Sequence, residues 1–284
     1  MTGRSSDLQR IRIEVERAAL LAGRQVRRLF RSGKFEIREK EDHTLVTEAD
    51  ALSERTIRRE LGKSYPVVEA ISEEDEDRRD LHSLDQFFLI DPIDGTWNFA
   101  AGIPVFCISV AYLAQAAPRA GVLYNPVSGE LLSASEGIGS FHRPAEAPPG
   151  GSRWAPQDPI RLRTAAYRPL AESQVHRHDR RLDPSLARRI LEKVVLHARG
   201  VRDLGSTTAE LGLIASGKSD ALVGYHVANW DVAAAALVLA EAGGVVTRLD
   251  GHPIDYADSD KFSICAAGTR RLHQEILLAI SSIP

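Results

Sequence analysis

Two carboxylates three positions apart, Asp91 and Asp94, close the apolar run Phe87-Phe88-Leu89-Ile90, and Gly95 and Thr96 follow at once. A strand that stops there delivers acidic oxygens to its carboxyl edge, where open α/β sheets bind ligands. Hard oxygen donors suit Mg²⁺ or Mn²⁺, whereas zinc would want His or Cys. Pro92 turns the chain so that both carboxylates can face one point. The N–H groups of Gly95 and Thr96 then meet an anion, and phosphate fits that role. The competing reading is conformational, because Asp-Pro and Asp-Gly are ordinary turn formers at a strand end.

A second carboxylate position lies far along the chain. Asn229-Trp230-Asp231-Val232-Ala233 opens an apolar helix, which puts Asp231 in a first turn, where a carboxylate is electrostatically favoured and also serves as a cap. The pair Glu73-Glu74 follows a short apolar segment. If these element ends converge, they could hold two metals about 4 Å apart, the arrangement that clamps attacking and leaving oxygens in phosphoryl transfer. The DxDGT pattern of haloacid dehalogenase phosphatases does not fit, because two residues separate Asp91 from Asp94.

The elements that must position these groups are legible in outline. Leu8, Ile11, Val15, Ala18, Ala19, Ala22, Val26 and Phe30 recur at three and four, predicting a long helix over residues 1–30 that covers a sheet. A second helix is expected over 49–61, ended by Pro66, then a strand over 67–71 leading into the acidic run 72–77. Strands are expected at 87–90, 105–113, 120–124 and 130–135, the last three as an antiparallel meander. Residues 144–159 are rich in Pro, Gly and Ala and mark a boundary or an exposed insertion. This divides the chain into an N-terminal α+β half, 1–150, and a C-terminal α/β half, 151–284, within one compact unit. Beyond it, helices at 184–198, 207–216 and 232–242 alternate with strands at 221–225, 245–249 and 262–267, implying an α/β layer.

Composition narrows the classes. At 284 residues, 43% hydrophobic and 26% charged, the chain is an ordinary globular one, and its net charge of -3 asks for neither nucleic acid nor an anionic membrane. The basic stretch Arg177, Arg180, Arg181, Arg188, Arg189, Lys193, Arg199 and Arg202 reads as a solvated helix face, with contact to an anionic substrate or partner as the alternative. Cys107 and Cys265 sit in apolar segments, as reduced core thiols do. The amino terminus has neither the pattern of a signal peptide nor that of a membrane span, so a cytoplasmic location is the default expectation.

Taken together, Ser72-Glu73-Glu74, Asp91-Pro92-Ile93-Asp94-Gly95-Thr96-Trp97-Asn98-Phe99, Gly205-Ser206 and Trp230-Asp231-Val232-Ala233-Ala234 resemble the inositol monophosphatase family. This belongs to the lithium-sensitive, Mg²⁺-dependent phosphatase superfamily that includes fructose-1,6-bisphosphatases and 3'-phosphoadenosine nucleotidases. The likeness runs from about Lys40 to Gly268. It implies a layered αβαβα sandwich, assembled as a homodimer, using two to three Mg²⁺ ions, with Mn²⁺ as a substitute. It further implies that Glu73, Asp91 and the Ile93 carbonyl hold the first ion and that Asp91, Asp94 and Asp231 hold the second. Glu73 would reach a third through water, near Asp50. Glu73, Asp50 and Thr96 would activate the attacking water. Asp94, Gly95, Thr96, Gly205, Ser206, Thr207 and Asp231 would contact the substrate.

The expected activity is hydrolysis of a small phosphorylated alcohol, such as an inositol, sugar or histidinol phosphate. A 3'-phosphoadenosine 5'-phosphate nucleotidase is the rival enzyme, and a regulatory interaction protein that keeps the fold is the rival from another class. At the position where inositol-specific members place a ring-binding Glu, this sequence has Gly224. Tyr225 and His226 lie beside it and either line the pocket or pack.

Overall fold

The computed structural model describes residues 2–40, 43–75, 80–144, 158–178, 184–258 and 261–281. Helix α1 (Thr2–Ser32) buries Leu8, Ile11, Val15, Ala18, Ala22 and Val26, a spacing that makes one apolar stripe. The hairpin β1 (Ile37–Glu39) and β2 (Leu45–Thr47) leads into α2 (Glu48–Ser64). A capping box starts α2: Thr47 Oγ1 accepts from the Ala49 N–H at 3.2 Å, and Asp50 accepts from the Thr47 N–H at 2.8 Å.

A seven-stranded sheet follows. Strands β3 (Glu69–Ser72) and β4 (Gln86–Asp94) pair in parallel, and helix α3 (Thr96–Ala100) separates β4 from β5 (Cys107–Ala114). Then β6 (Ala117–Asn125), β7 (Glu130–Ser135), β8 (Gly139–Pro144) and β9 (Ile160–Arg161) extend it antiparallel, in the order β3-β4-β5-β6-β7-β8-β9. Side chains of β4 alternate between faces, as the pleat requires. Phe88 and Ile90 join the core formed with α1 and α2, and Phe87 and Leu89 join the core on the opposite face.

The remaining elements are β10 (Gln174–His178), α4 (Pro184–Ile190), β11 (Gly200–Arg202), α5 (Thr207–Ala215), β12 (Ala221–Val227), α6 (Asn229–Glu241), β13 (Val245–Arg248), β14 (Phe262–Ala267) and α7 (Arg270–Ser281). The second sheet has the order β11-β10-β12-β14-β13. Helices α5 and α6 lie between the sheets: Leu211, Ile214, Val232 and Leu239 share one core with Leu89 and Leu123 of the first sheet and Leu222 and Ile264 of the second. The outer face of the second sheet packs Val223 and Cys265 against Ile190 of α4 and Leu272 and Ile276 of α7. The layering is therefore αβαβα. Helix α6 presses close on β6, since a Cβ at Gly121 would lie 3.1 Å from both Cα and Cβ of Ala234.

Several expected boundaries move. Strand β4 does not stop at Ile90 but continues through Asp94, with an irregularity in its register against β5 between Asp91 and Asp94. The strand expected from Val67 begins at Glu69, and Val67 stands exposed in a turn. The helix expected over 184–198 is α-helical only to Ile190 and continues as a π-helical turn, Leu191–Val195. Residues 145–157 of the Pro/Gly-rich segment, Arg180 and Arg181 of the basic stretch, and Glu76 and Asp77 of the acidic run lie outside the described residues. The strands that flank the Pro/Gly-rich segment, β8 and β9, pair with each other. Both cysteines are free and buried, and burial raises both thiols, Cys265 to about 12. Among the described residues no helix is long and apolar enough to cross a membrane.

Candidate active site

The irregularity in β4 is what turns a strand end into a site. Asp91 Oδ1 accepts from the Ile93 N–H at 3.0 Å, folding the backbone back on the carboxylate. The carbonyl of Pro92 accepts from Ser53 Oγ of α2 at 3.0 Å, which ties the turn to the outer helical layer. Gly95 then takes φ +97, a left-handed conformation that a side chain would strain, and a Cβ there would lie 3.1 Å from the Val105 carbonyl and 3.2 Å from Ser206 Cβ. Thr96 follows as the first residue of α3, and its hydroxyl donates to the Ile93 carbonyl at 3.0 Å and reaches Asp50 Oδ1 at 3.5 Å.

From the middle layer, α6 brings Asp231. Its Oδ2 accepts from the Ala228 N–H at 2.9 Å, so the capping role expected of a first-turn aspartate is present alongside any other. The start of α5 holds Asp94: Oδ2 accepts from Ser206 Oγ at 2.7 Å and from the Thr208 N–H at 2.6 Å. Thr208 Oγ1 donates to the Asp231 carbonyl at 2.9 Å and so joins α5 to α6. The loop before α5 is fixed by Glu210, which accepts from the Leu204 N–H at 2.7 Å, and by Asn98, which donates to the Leu204 carbonyl at 2.6 Å.

Carboxylate oxygens of Asp91, Asp94 and Asp231 lie within 4.8 Å of one another. They line a cavity of about 510 Å³ together with Glu73, Ile93, Gly95, Thr96, Gly205 and Thr207. Ser206 reaches the cavity's carboxylates by its hydrogen bond to Asp94. Asp50 sits behind Thr96, almost wholly buried. The structure thus brings the sequence-designated residues to one place, with Glu73 outside the tight group of three. Glu73 instead faces Lys40, whose Nζ lies 3.6 Å from it and 2.8 Å from Glu74.

The electrostatics of the cluster are one-sided. Burial, reinforced by Glu73, Asp94 and Asp231, pushes the Asp91 carboxyl well above its ordinary range. Burial also raises Asp50 to about 7, against the pull of the Thr47 hydroxyl that donates to it at 2.6 Å. Glu73 is raised by burial, with Lys40 opposing and Asp231 adding to the shift. Lys40 is itself raised, its burial outweighed by Glu73, Glu74 and Asp50. Among the described residues Asp91 Oδ2 is buried with no hydrogen-bond partner. A buried carboxylate oxygen without a donor is costly unless something positive completes it. The donor set is all oxygen, which is what a hard divalent cation takes.

Lys40, His43, Thr44 and Lys261 also border the site or its carboxylates, and the spacing of the sequence did not single them out. They lie in loops or beside the motifs, with no periodicity to mark them.

An αβαβα sandwich with an acidic cluster at the meeting of its first sheet and middle helices defines the phosphatase class to which inositol monophosphatases belong. The chain is a member of the inositol monophosphatase family, whose model matches residues 7–284. It is 32% identical over 278 residues to an inositol-1-monophosphatase of Mesorhizobium japonicum, covering 93% of each chain. It is 30% identical over 237 residues to the Nus factor SuhB of Pseudomonas aeruginosa, covering 83% of this chain and 84% of that one. Among solved structures, the extragenic suppressor protein suhB of Bartonella henselae superposes with a TM-score of 0.82 at 28% identity, over 96% of this chain and 98% of that one.

Proposed function

We propose that this chain is a Mg²⁺-dependent phosphomonoesterase of a small phosphorylated alcohol. The observation that carries the reading is the partnerless Oδ2 of Asp91 inside a group of three carboxylates on one cavity wall. Asp91, Asp94 and Asp231, with Glu73 and the Ile93 carbonyl, would hold two to three Mg²⁺ ions, or Mn²⁺ in their place. When bound, such ions supply charge to neutralise phosphoryl oxygens and lower the pKa of a nucleophilic water.

The chain's own groups do the rest. Thr96 Oγ1, which reaches Asp50 Oδ1 at 3.5 Å, passes the proton of the attacking water towards Asp50, with Glu73 beside it. The phosphate rests against the N–H groups of Gly95 and Thr96, while Gly205, Ser206 and Thr207 bracket the alcohol. The water oxygen bonds to phosphorus, the ester P–O bond breaks in line, and the departing alkoxide takes a proton from water near Asp231. Lithium sensitivity, a homodimeric assembly and a cytoplasmic setting belong to the same reading. The test is phosphate release from a panel of inositol, sugar and histidinol phosphates with Mg²⁺, and 3'-phosphoadenosine 5'-phosphate as the rival substrate. Binding of Mn²⁺ without release from any ester would refute it.

A second reading, a regulatory protein acting through a macromolecular partner, is favoured by the likeness to a protein named a Nus factor. Its surface would be the basic helix, where Arg188 is exposed and pairs with Glu192 at 2.7 Å. Partner binding that survives Asp94→Asn but fails on charge reversal at Arg188 and Arg189 would support it.

A further inference from the structure

Helix α5 hides a carboxylate that stands apart from the reacting groups. Glu210 has no exposed surface, and of its two oxygens only Oε1 has a hydrogen-bond donor, the Leu204 N–H at 2.7 Å. His176 of β10, also buried, sets Nδ1 3.4 Å from that oxygen without hydrogen-bond geometry, and its Nε2 meets Ser219 Oγ at 3.0 Å. Ser, His and Glu thus stand in a row, yet all three are buried, so the row attacks no substrate. We propose that Glu210 and His176 are a positioning pair. They hold the Leu204 peptide, and with it the Gly205 end of the segment that meets the alcohol, and so govern substrate affinity while leaving the metal end alone. This rests on the phosphomonoesterase reading above, in which Gly205, Ser206 and Thr207 bracket the alcohol.

Apolar packing does not seat Leu204. It joins none of the hydrophobic cores among the described residues, and it borders a second cavity of about 210 Å³ with Val105, Cys107, Leu123 and Thr208. Polar contacts hold its peptide instead: the carbonyl accepts from Asn98 Nδ2 at 2.6 Å, and the N–H donates to Glu210. Gly205 follows at φ +73, so close to Asn98 that a Cβ would lie 3.2 Å from Nδ2. A shift of Leu204 is therefore passed directly to the cavity wall.

Ser206, by contrast, is held by the helix itself. Its carbonyl accepts from the Glu210 N–H at 3.0 Å and its hydroxyl from the Ala209 N–H at 3.2 Å, main-chain donors that a change of the Glu210 side chain leaves in place. The contacts of Ser206 and Thr208 to Asp94 then survive a change that frees Leu204. A buried carboxylate with one N–H donor is costly alone, and the imidazole beside it offsets that cost. His176 thus acts through Glu210.

The test uses the full chain with Mg²⁺, inositol 1-phosphate and glycerol 2-phosphate as esters, and inorganic phosphate as an inhibitor that lacks an alcohol. Glu210→Ala should raise KM for the esters about tenfold. Unchanged kcat, phosphate inhibition and Mn²⁺ affinity should accompany it, the pattern of lost substrate binding. Glu210→Gln keeps an acceptor for the Leu204 N–H and should hold KM within about threefold of the parent. His176→Asn should raise KM in the parent but not in the Glu210→Gln background, because its effect passes through the charge of Glu210. Should Glu210→Ala not fold, the Gln and His176→Asn variants carry the same comparison. Amide hydrogen exchange on the metal-free chain reads the hold without substrate: residues 203–205 should exchange faster in Glu210→Ala and His176→Asn, with 229–233 unchanged. Unchanged KM in Glu210→Ala and His176→Asn, a loss of Mn²⁺ affinity in step with KM, or additive effects in the double variant would overturn the proposal and leave the phosphatase reading intact. No phosphate release from any ester would instead remove that reading, and the exchange rates would then decide whether the pair holds Leu204.

Discussion

The hydroxyl of Ser206 donates to Oδ2 of Asp94 at 2.7 Å, latching the start of the middle helix α5 to the end of strand β4. The same hydroxyl accepts from the Ala209 N–H at 3.2 Å as the N-cap of α5. Ser206→Ala removes both contacts. Loss of the cap should lower stability by about 1 kcal/mol. Loss of a hydrogen bond that aims a ligating carboxylate should weaken divalent-ion binding about tenfold or more. Thermal melts and a Mn²⁺ titration read the two effects separately, and unchanged affinity would show that the latch does not orient Asp94.

Asp94→Asn keeps the shape and both accepted hydrogen bonds but removes a charge from the cluster. The expected outcome is a fall in kcat by about three orders of magnitude, with an unaltered circular dichroism spectrum. Turnover near that of the parent protein would exclude Asp94 as a ligand.

For Asp91→Asn the two halves of the outcome have opposite signs. The parent carboxyl is buried beside other acids with Oδ2 unpartnered, so a neutral amide should raise the melting temperature of the metal-free protein. The same change should abolish the stabilisation that Mn²⁺ gives the parent. A variant that melts lower without metal and still responds to Mn²⁺ would contradict the role given to Asp91.

The metal-free protein should lose stability as pH rises. Asp50 is held at about 7 in the folded chain, against about 3.9 when unfolded, and Glu73 and Asp91 shift in the same direction. Between those values the folded state binds more protons than the unfolded state, so stability is greatest below about pH 4 for these groups and declines through about pH 7. Divalent ions displace those protons. The rise in melting temperature on adding Mn²⁺ should therefore be larger at pH 8 than at pH 5.5, and a pH-independent rise would argue against ionisation of the cluster on binding.

Gly121→Val should cost roughly 1–3 kcal/mol, because its side chain would enter the space occupied by Ala234. The same substitution should weaken Mn²⁺ binding, since it lifts α6, and with it Asp231, away from β6. Calorimetry and metal titration on the purified variant would decide it.

What the sequence made legible was local chemistry. Asp91, Asp94, Gly95 and Thr96 are neighbours in the chain, and Asp231 announced itself by standing at the head of an apolar helix. The αβαβα layering came from resemblance, since periodicity alone said only that helices cover sheets. Strand β10 has no apolar alternation to mark it, being polar with His176 buried within it. Helix α7 does carry a helical signature, since Leu272, Ile276 and Ile280 recur at fours and are buried. Lys40 and Lys261 had no local signature. Their importance comes from which carboxylates and which cavity the folded chain sets beside them.

Gly121 and Ala234 meet where a strand of the first sheet touches the helix that carries Asp231. The three clustered carboxylates are consequently drawn from two different layers, and neither layer alone contains the set. Affinity for a divalent ion is then a property of finished assembly. On the phosphatase reading proposed above, a nascent or partly unfolded chain would lack the full ligand set, and occupancy of the ion would report that the layers have docked.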